Sequence, residues 1–405
     1  PPLRLRRGAA LARCALFAGF VIGIGVCSFL TATRGDWEKC FVPAGLRMRA
    51  GEDIFREGYV YPPFQAFFAA LFTYAPAVVG RAMWASLNAG AAAVFVLSAW
   101  RLSGGAPWWR DRNIPARETW IFGLGFVATI GFLFDAITNS QTDLLLASLI
   151  VGGWWHFGRR PWSAGLVGLA AAGKCTPLLF VPWVLSRGRW SFAAIVVVVA
   201  LGVNAAPDVF FPSPTGELRL WTWTRTYFAS LLHSNHALGT WFTGLEFNHS
   251  LAGALRRLMP AAAVRPVWVA AVACMIFAAA VRIVRSRAVA GAVERFEIGM
   301  ILCLMVLLSP VSSKPHFSIL LLPAWTVARE ALLRRDPLLC AATFASVLMG
   351  LTANKDLVGA AIYDAAKWSG VITWQSLLLF AASVRAQSLV TNGQSSRDQS
   401  LRVGR

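Results

Sequence analysis

Charge is scarce in this chain of 405 residues, where Asp, Glu, Lys and Arg together make up only 14%. Soluble domains carry about 25%. Acids are the scarcer sign, 19 against 38 Lys plus Arg. Catalytic signatures of soluble enzymes are absent as well. There is no Walker A loop, no HExxH, no GxSxG and no paired-cysteine zinc pattern. Those absences argue against a P-loop nucleotide enzyme, a zincin and a serine hydrolase, and no internal repeat suggests a solenoid. What fills the space is apolar: 57% of residues, with a mean hydropathy of +0.58. No single soluble core hides that much apolar surface. The composition excludes an ordinary cytosolic enzyme, a disordered chain and a nucleic-acid module, and leaves an all-α polytopic membrane protein. Eighteen Trp agree with that, because indoles favour the bilayer interface.

The seven cysteines, Cys14, Cys27, Cys40, Cys175, Cys274, Cys303 and Cys340, lie mostly within apolar runs and form no Cys-x-x-Cys pair. They read as packing residues rather than as a disulfide framework. The net charge of +19 would suggest nucleic acid in a soluble protein. Here it reads as the arginine excess of cytoplasmic loops.

A bilayer crossing needs about 20 apolar residues as a helix. Candidate spans are 14–32, 82–100, 118–134, 142–157, 162–173, 176–186, 191–207, 266–281, 296–311, 316–331, 337–353 and 369–384, about twelve in all. The run at 14–32 is too long for a signal-peptide core and reads as a retained span. The pair 162–173 and 176–186 is short and meets at Lys174 and Pro177, as two tilted helices or one broken helix. With both termini cytoplasmic, most arginines fall inside, among them Arg13, Arg101, Arg110, Arg112, Arg159, Arg187, Arg285 and Arg334. The acids run the other way. Residues 62–80 are apolar enough to cross, but a crossing there would flip every later loop against the positive-inside rule. They are expected to lie along the outer surface as a helix opened by Pro62-Pro63.

This divides the chain into an integral membrane domain over 1–386 and a polar, disordered cytoplasmic tail over 387–405. Two long outer segments cover 33–81 and 208–265. Gly19 and Gly23, four apart in the first span, read as a helix-packing face.

Reactive groups concentrate on the outer side. His233, His236, His249 and His316 fall there, and only His156 abuts an inner loop. Asp36 follows the first span near headgroup level, where a partly desolvated carboxylate can serve as a general base; position alone favours a solvated ion pair in a loop that also holds Glu38, Glu52 and Glu57. Lys174 sits in an apolar run, either as a functional intramembrane cation or snorkelling to the interface. Asp135, Asn139, Gln141 and Asp143 cluster between two spans, as functional groups or as loop polarity and helix caps. Lys314 and His316 stand at an outer helix mouth and suit a phosphate, or are a turn broken by Pro310 and Pro315.

The order of these segments resembles the family 87 glycosyltransferases, polytopic enzymes of GT-C type. Five stretches carry it: Gly35-Asp36-Trp37 with Ala50 to Phe55; Tyr59-Val60-Tyr61-Pro62-Pro63, the most specific; Asn139-Ser140-Gln141; Ala170 to Leu179 around Lys174; and Asn248-His249-Ser250-Leu251 with Arg256. The segment ending in His316 is a sixth likeness. Ser140 replaces the usual Gly, His249 stands where Gln is common, and Lys314-Pro315 replaces what is often Trp-His.

The resemblance implies a GT-C bundle of about twelve helices in the plasma membrane, with its active site extracytoplasmic. It implies transfer of a hexose, mannose by default, from a polyprenyl-phosphate donor to a glycolipid or glycan hydroxyl with inversion. Asp36 is then the general base, and Lys174, His316, Arg256, Tyr61, Gln141, Asn248 and His249 line the donor and substrate site. The expected partners are the lipid-linked sugar, the acceptor and membrane lipids. No metal and no cofactor other than that substrate are implied. The rival readings are a secondary transporter, a lipid-diphosphate-dependent glycan ligase and a non-catalytic scaffold.

Overall fold

A computed structural model describes residues 3–56, 59–107, 114–156, 160–233, 248–287 and 290–403. Glu57, Arg110, Arg112, Arg159 and His236, singled out above, lie outside these. The described residues form helices and no strand. In chain order they are α1 (Leu3–Thr31), a π-helical turn at Trp37–Phe41, α2 (Val42–Arg49), α3 (Pro63–Phe72), α4 (Ala77–Leu102), α5 (Ala116–Val127), α6 (Ile130–Thr138), α7 (Asp143–Trp155) and α8 (Ser163–Gly173). A 3-10 turn at Thr176–Leu179 leads into α9 (Phe180–Ser186). Then come α10 (Trp190–Ala205), α11 (Pro207–Phe210), α12 (Arg219–His233), α13 (Leu251–Leu258), α14 (Ala261–Arg285) and α15 (Ala290–Leu308). A second 3-10 turn, Lys314–Leu320, opens α16 (Leu321–Arg334), followed by α17 (Pro337–Thr352), α18 (Lys355–Ser369) and α19 (Val371–Val403).

The chain is an all-α polytopic membrane protein. Among the described residues four helical stretches are long and apolar enough to cross a bilayer alone, at Leu11–Thr31, Ala77–Leu102, Trp190–Phe210 and Ala261–Arg285; two bent pairs raise that to six. Large apolar side chains stand exposed along them, Leu16, Ile22, Val198 and Phe277 among them, as a lipid environment permits.

Breaks in the helices have identifiable causes. Between α5 and α6 the axis bends by 50°. The bend frees the carbonyl of Ala128, which accepts from Gln375 Nε2 at 2.8 Å. The short pair flanking Lys174 is a true break: Lys174 is extended (φ −144°, ψ 133°) and Pro177 opens the next turn. Asn204 Nδ2 covers the released carbonyl of Ala172 at 3.1 Å. Buried backbone groups thus keep partners where the ladder stops.

Three expectations change. Helix α3 ends at Phe72, and α4 starts at Ala77, so a ten-residue helix with Pro63, Gln65, Ala66, Ala69 and Ala70 buried stands in place of a helix lying along the surface over 62–80. The turn before Pro76 divides the apolar run. Gly19 and Gly23 meet nothing within 4 Å at a Cβ position, so their face packs on no described neighbour. The polar tail does not begin at Gln387: α19 runs on to Val403, and Gln387 is buried. Its amide donates to Glu297 Oε1 at 2.8 Å, so polarity there marks a buried partner rather than solvation.

Two hydrophobic clusters result. The larger runs through α4, α7, α15 and α16. The smaller, with Trp37, Phe41, Met48, Ile54, Tyr59 and Trp84, lies beside the first loop. That smaller cluster holds the site residues in place.

Candidate active site

Asp36 is fixed by its neighbours before its carboxylate makes any contact. Its backbone N–H donates to Asn139 O at 2.9 Å. The approach is close because residue 35 is glycine: a Cβ there would lie 2.4 Å from Asn139 O. On the other side, Trp37 stacks flat on Trp84, centroids 4.2 Å apart and planes within 2°. The side chain then meets Gln141, whose Nε2 donates to Asp36 Oδ2. Burial, then the charge of Asp143, raise the Asp36 carboxyl above the usual aspartate range, against the lowering pull of Lys174 and Lys39. Ser140, between Asn139 and Gln141, has φ +48°. The left-handed backbone there explains why glycine suits this position in the resembling sequences.

Asp36 opens onto a cavity of about 530 Å³, shared with Tyr61, Gln141, Asp143, Lys174, His249, Lys314 and His316. The helix break places Lys174, whose Nζ meets Asp143 Oδ1 at 2.6 Å. His316 Nε2 lies 3.8 Å from the other oxygen, Asp143 Oδ2. Neither of those two atoms has a hydrogen-bond partner, and neither do Gln141 Oε1 and His249 Nδ1. Buried polar atoms are rarely left unmatched. Four around one cavity amount to a set of donors and acceptors preorganised for a polar ligand.

The Tyr-Pro-Pro segment forms a wall. Tyr61 packs on Phe41 at 5.0 Å and on Tyr59 at 5.8 Å, and Lys174 Nζ stands 5.9 Å from its ring centre. Trp223 Nε1 holds Val60 O at 3.0 Å, and Asn204 Oδ1 accepts from Phe64 N at 3.0 Å. The Asn-x-Ser-Leu segment works differently. Ser250 caps α13 by accepting from Gly253 N at 3.1 Å. Asn248 clamps the end of α15: Nδ2 donates to Pro310 O at 3.1 Å, and Oδ1 accepts from Ser312 N at 3.2 Å. Between them His249 enters the cavity wall, its backbone N–H on Ser312 O at 2.7 Å and its carbonyl accepting from Thr373 Oγ1 at 2.7 Å. Burial, aided by Arg257, Lys314 and Lys367, pushes the His249 imidazole down to about 3, so it stays neutral.

Six of the eight expected site residues therefore converge: Asp36, Tyr61, Gln141, Lys174, His249 and His316. Asn248 stands behind the wall as its fastener. Arg256 is half-buried on α13 and does not line the cavity. Its neighbour Arg257 does the tying, NH1 to Asn248 O at 2.7 Å and Nε to Trp368 O at 3.0 Å. Successive residues on a helix point about 100° apart, so a motif arginine is easily assigned to the wrong position. Asp143 is the group most underrated by sequence, because its partners come from 31 residues away and beyond. Tyr363 and Lys367, on α18, also line the cavity and carried no sequence signal. Among the described residues no cluster of three His, Cys, Asp or Glu suits a metal ion.

The site is thus a polar cavity within an all-α membrane bundle, holding a carboxylate beside a buried Lys–Asp pair. The sequence pattern of Glycosyltransferase family 87 matches residues 59–310, and the chain belongs to that family. It is 30% identical over 270 residues to the Alpha-(1->3)-arabinofuranosyltransferase of Mycobacterium tuberculosis, in strains CDC 1551 / Oshkosh and ATCC 25618 / H37Rv alike. The match covers 61% of this chain and 61% of each relative. No solved structure matches significantly. The chain is thus a polytopic membrane protein of that family, and it spans about three fifths of the length of the curated relatives it matches.

Proposed function

We propose that the chain transfers a sugar from a polyprenyl-phosphate donor to an acceptor hydroxyl, with Asp36 as general base. The observation that carries this is the placement of Asp36: a half-buried carboxylate, held by Gly35, Asn139 and Gln141, sharing one cavity with the Lys174–Asp143 pair. The acceptor oxygen attacks the anomeric carbon from the face opposite the phosphate. That C–O bond forms as the bond from the anomeric carbon to the phosphate oxygen breaks, the hydroxyl proton passes to Asp36, and polyprenyl phosphate leaves. Configuration inverts. Lys174 and His316, gathered on Asp143, border the space the sugar takes beside Asp36, where polar groups in a water-poor cavity act most strongly on developing charge. Neutral His249 and Gln141 present unmatched atoms to sugar hydroxyls.

The sugar follows from the relatives rather than from the cavity. Their name favours an arabinofuranosyl unit over the mannose that the family resemblance alone implies. A glycolipid or glycan is the acceptor. The arginine distribution supports a plasma-membrane protein with cytoplasmic termini and an extracytoplasmic cavity. The test offers radiolabelled polyprenyl-phosphate arabinofuranose and polyprenyl-phosphate mannose to membranes containing the full chain. Arabinofuranose transfer is expected. Transfer of mannose alone would replace the sugar, and transfer from neither would overturn the donor class.

A further inference from the structure

Charges around the cavity divide into two groups. Asp36 feels Asp143, Lys174 and Lys39, and His316 feels Asp143 and Lys174. Of these, the cavity lining at that pole holds two carboxylates, Asp36 and Asp143, and one ammonium, Lys174. The charges acting on His249 are instead those of Arg257, Lys314 and Lys367. Lys314 and Lys367 both line the cavity, with Asp135 as the carboxylate nearby, 3.7 Å from Lys314 Nζ. Lys367 Nζ lies 3.5 Å from Asp364, whose side chain is 62% exposed and outside the lining. Among the lining groups, a phosphate entering at the Asp36 pole meets two carboxylates and one ammonium, and at the second pole two ammonium groups and Asp135.

The second pole is also built. Lys314 Nζ stands 5.7 Å and Lys367 Nζ 5.6 Å from the ring centre of Tyr363, so one aromatic ring gathers two ammonium groups. Helix α18 brings Tyr363 and Lys367 over the cavity through a 94° turn from α17. Gly359, at φ +78°, breaks α18 and redirects the half that carries them. Lys314 comes from the 3-10 turn before α16, in the segment where this sequence departs from the resembling family.

We infer that Lys314 and Lys367, bracketing Tyr363, form a phosphate subsite that takes the phosphate of the lipid-linked donor. The inference rests on the donor class proposed above. On cleavage the donor phosphodiester, a monoanion, becomes a phosphomonoester that approaches a dianion. Two ammonium groups remote from the base stabilise that change without neutralising Asp36. A phosphate ester on a glycolipid acceptor offers the same chemistry, so the test separates the two sources.

Binding is measured on the purified full chain in nanodiscs, with polyprenyl monophosphate and uncharged polyprenol of equal length. The phosphate lipid should bind more tightly. The pair Lys314→Gln and Lys367→Gln should reduce that preference about tenfold per lysine, and Lys→Arg at both should retain most of it. Asp36→Asn should keep the preference while losing transfer, so failure of the subsite and failure of the base are distinguishable. A Gln pair with an unchanged thermal transition and an undiminished preference would overturn the inference. So would a Gln pair that weakens only a phosphoglycolipid acceptor.

Discussion

The two ends of the bundle handle buried charge in opposite ways. Helix α16 connects them: the turn before it carries His316, and its 14 residues, roughly 21 Å of helix, reach Arg329 and Arg334. At the far end the carboxylates of Glu297, Glu118 and Glu330 are matched at both oxygens, and the atoms left without a partner there, Arg187 Nη1, Arg295 Nε, Arg329 Nε and Gln387 Oε1, belong to the side chains around them. Glu297 receives Trp183 Nε1 at 2.8 Å, Ser286 Oγ at 2.6 Å, Gln387 Nε2 at 2.8 Å and Arg187. Glu118 and Arg329 meet through two parallel bonds of 2.7 and 2.8 Å. Glu330 bridges Arg295 and Arg334, at 2.6 and 2.7 Å. At the cavity end, Asp143 Oδ2, Gln141 Oε1, His316 Nε2 and His249 Nδ1 have no such partner. A matched buried ion pair fixes the arrangement of helices. An unmatched set costs stability and is held for a ligand. The contrast teaches where to look for chemistry in a protein rich in buried charge: where an unmatched carboxylate oxygen lines an open cavity, rather than where the charge is densest.

Substitutions at the two ends should therefore separate activity from stability. The largest effect belongs to Asp36→Asn: transfer falls by about 10²–10⁴-fold, the ordinary worth of a general base, with the thermal transition unchanged. In the wild type, kcat/KM should fall with acid through a pKa above the usual aspartate range, since burial raises Asp36 and protonation removes the base. An acid limb in the ordinary aspartate range would count against this assignment. Next is Glu297→Ala, which strands Arg187, Trp183 and Gln387. Stability should drop by about 3–5 kcal/mol in denaturant titrations, while kcat per folded molecule holds. A kcat loss without destabilisation would erase the contrast between the ends. Gly35→Ala comes third. Its methyl group collides with Asn139 O, Asp36 shifts, and turnover drops by about 10²-fold if the shift approaches 1 Å. Smallest is Ser140→Gly, which relieves φ +48° and should leave turnover intact with a stability change within about 1 kcal/mol.

Much of the cavity was legible because its residues sit in short segments with backbone duties. Tyr61-Pro62-Pro63 opens a helix, Asn248 and Ser250 clamp and cap, and the Lys174 segment ends one. Such duties leave marks in a sequence. Asp143 was visible only as one polar residue among several, since its meaning depends on Lys174 and His316 arriving from other helices. Tyr363 and Lys367 lay in an unremarkable stretch, and the 94° turn that brings them over the cavity has no sequence signature beyond Asn354 and Gly359. The all-helical class followed from composition. The tail misled because Gln387 looks solvated until Glu297, 90 residues earlier, is seen beside it.

The most direct measurement is a structure of the full chain with a polyprenyl-phosphonate sugar bound in place of the donor. The account predicts the sugar lying between Asp36 and the Lys174–Asp143 pair, its anomeric carbon turned so that an oxygen near Asp36 can attack opposite the phosphonate. A donor analogue seated away from Asp36, or one that presents the same face to Asp36 as its phosphonate, would contradict it.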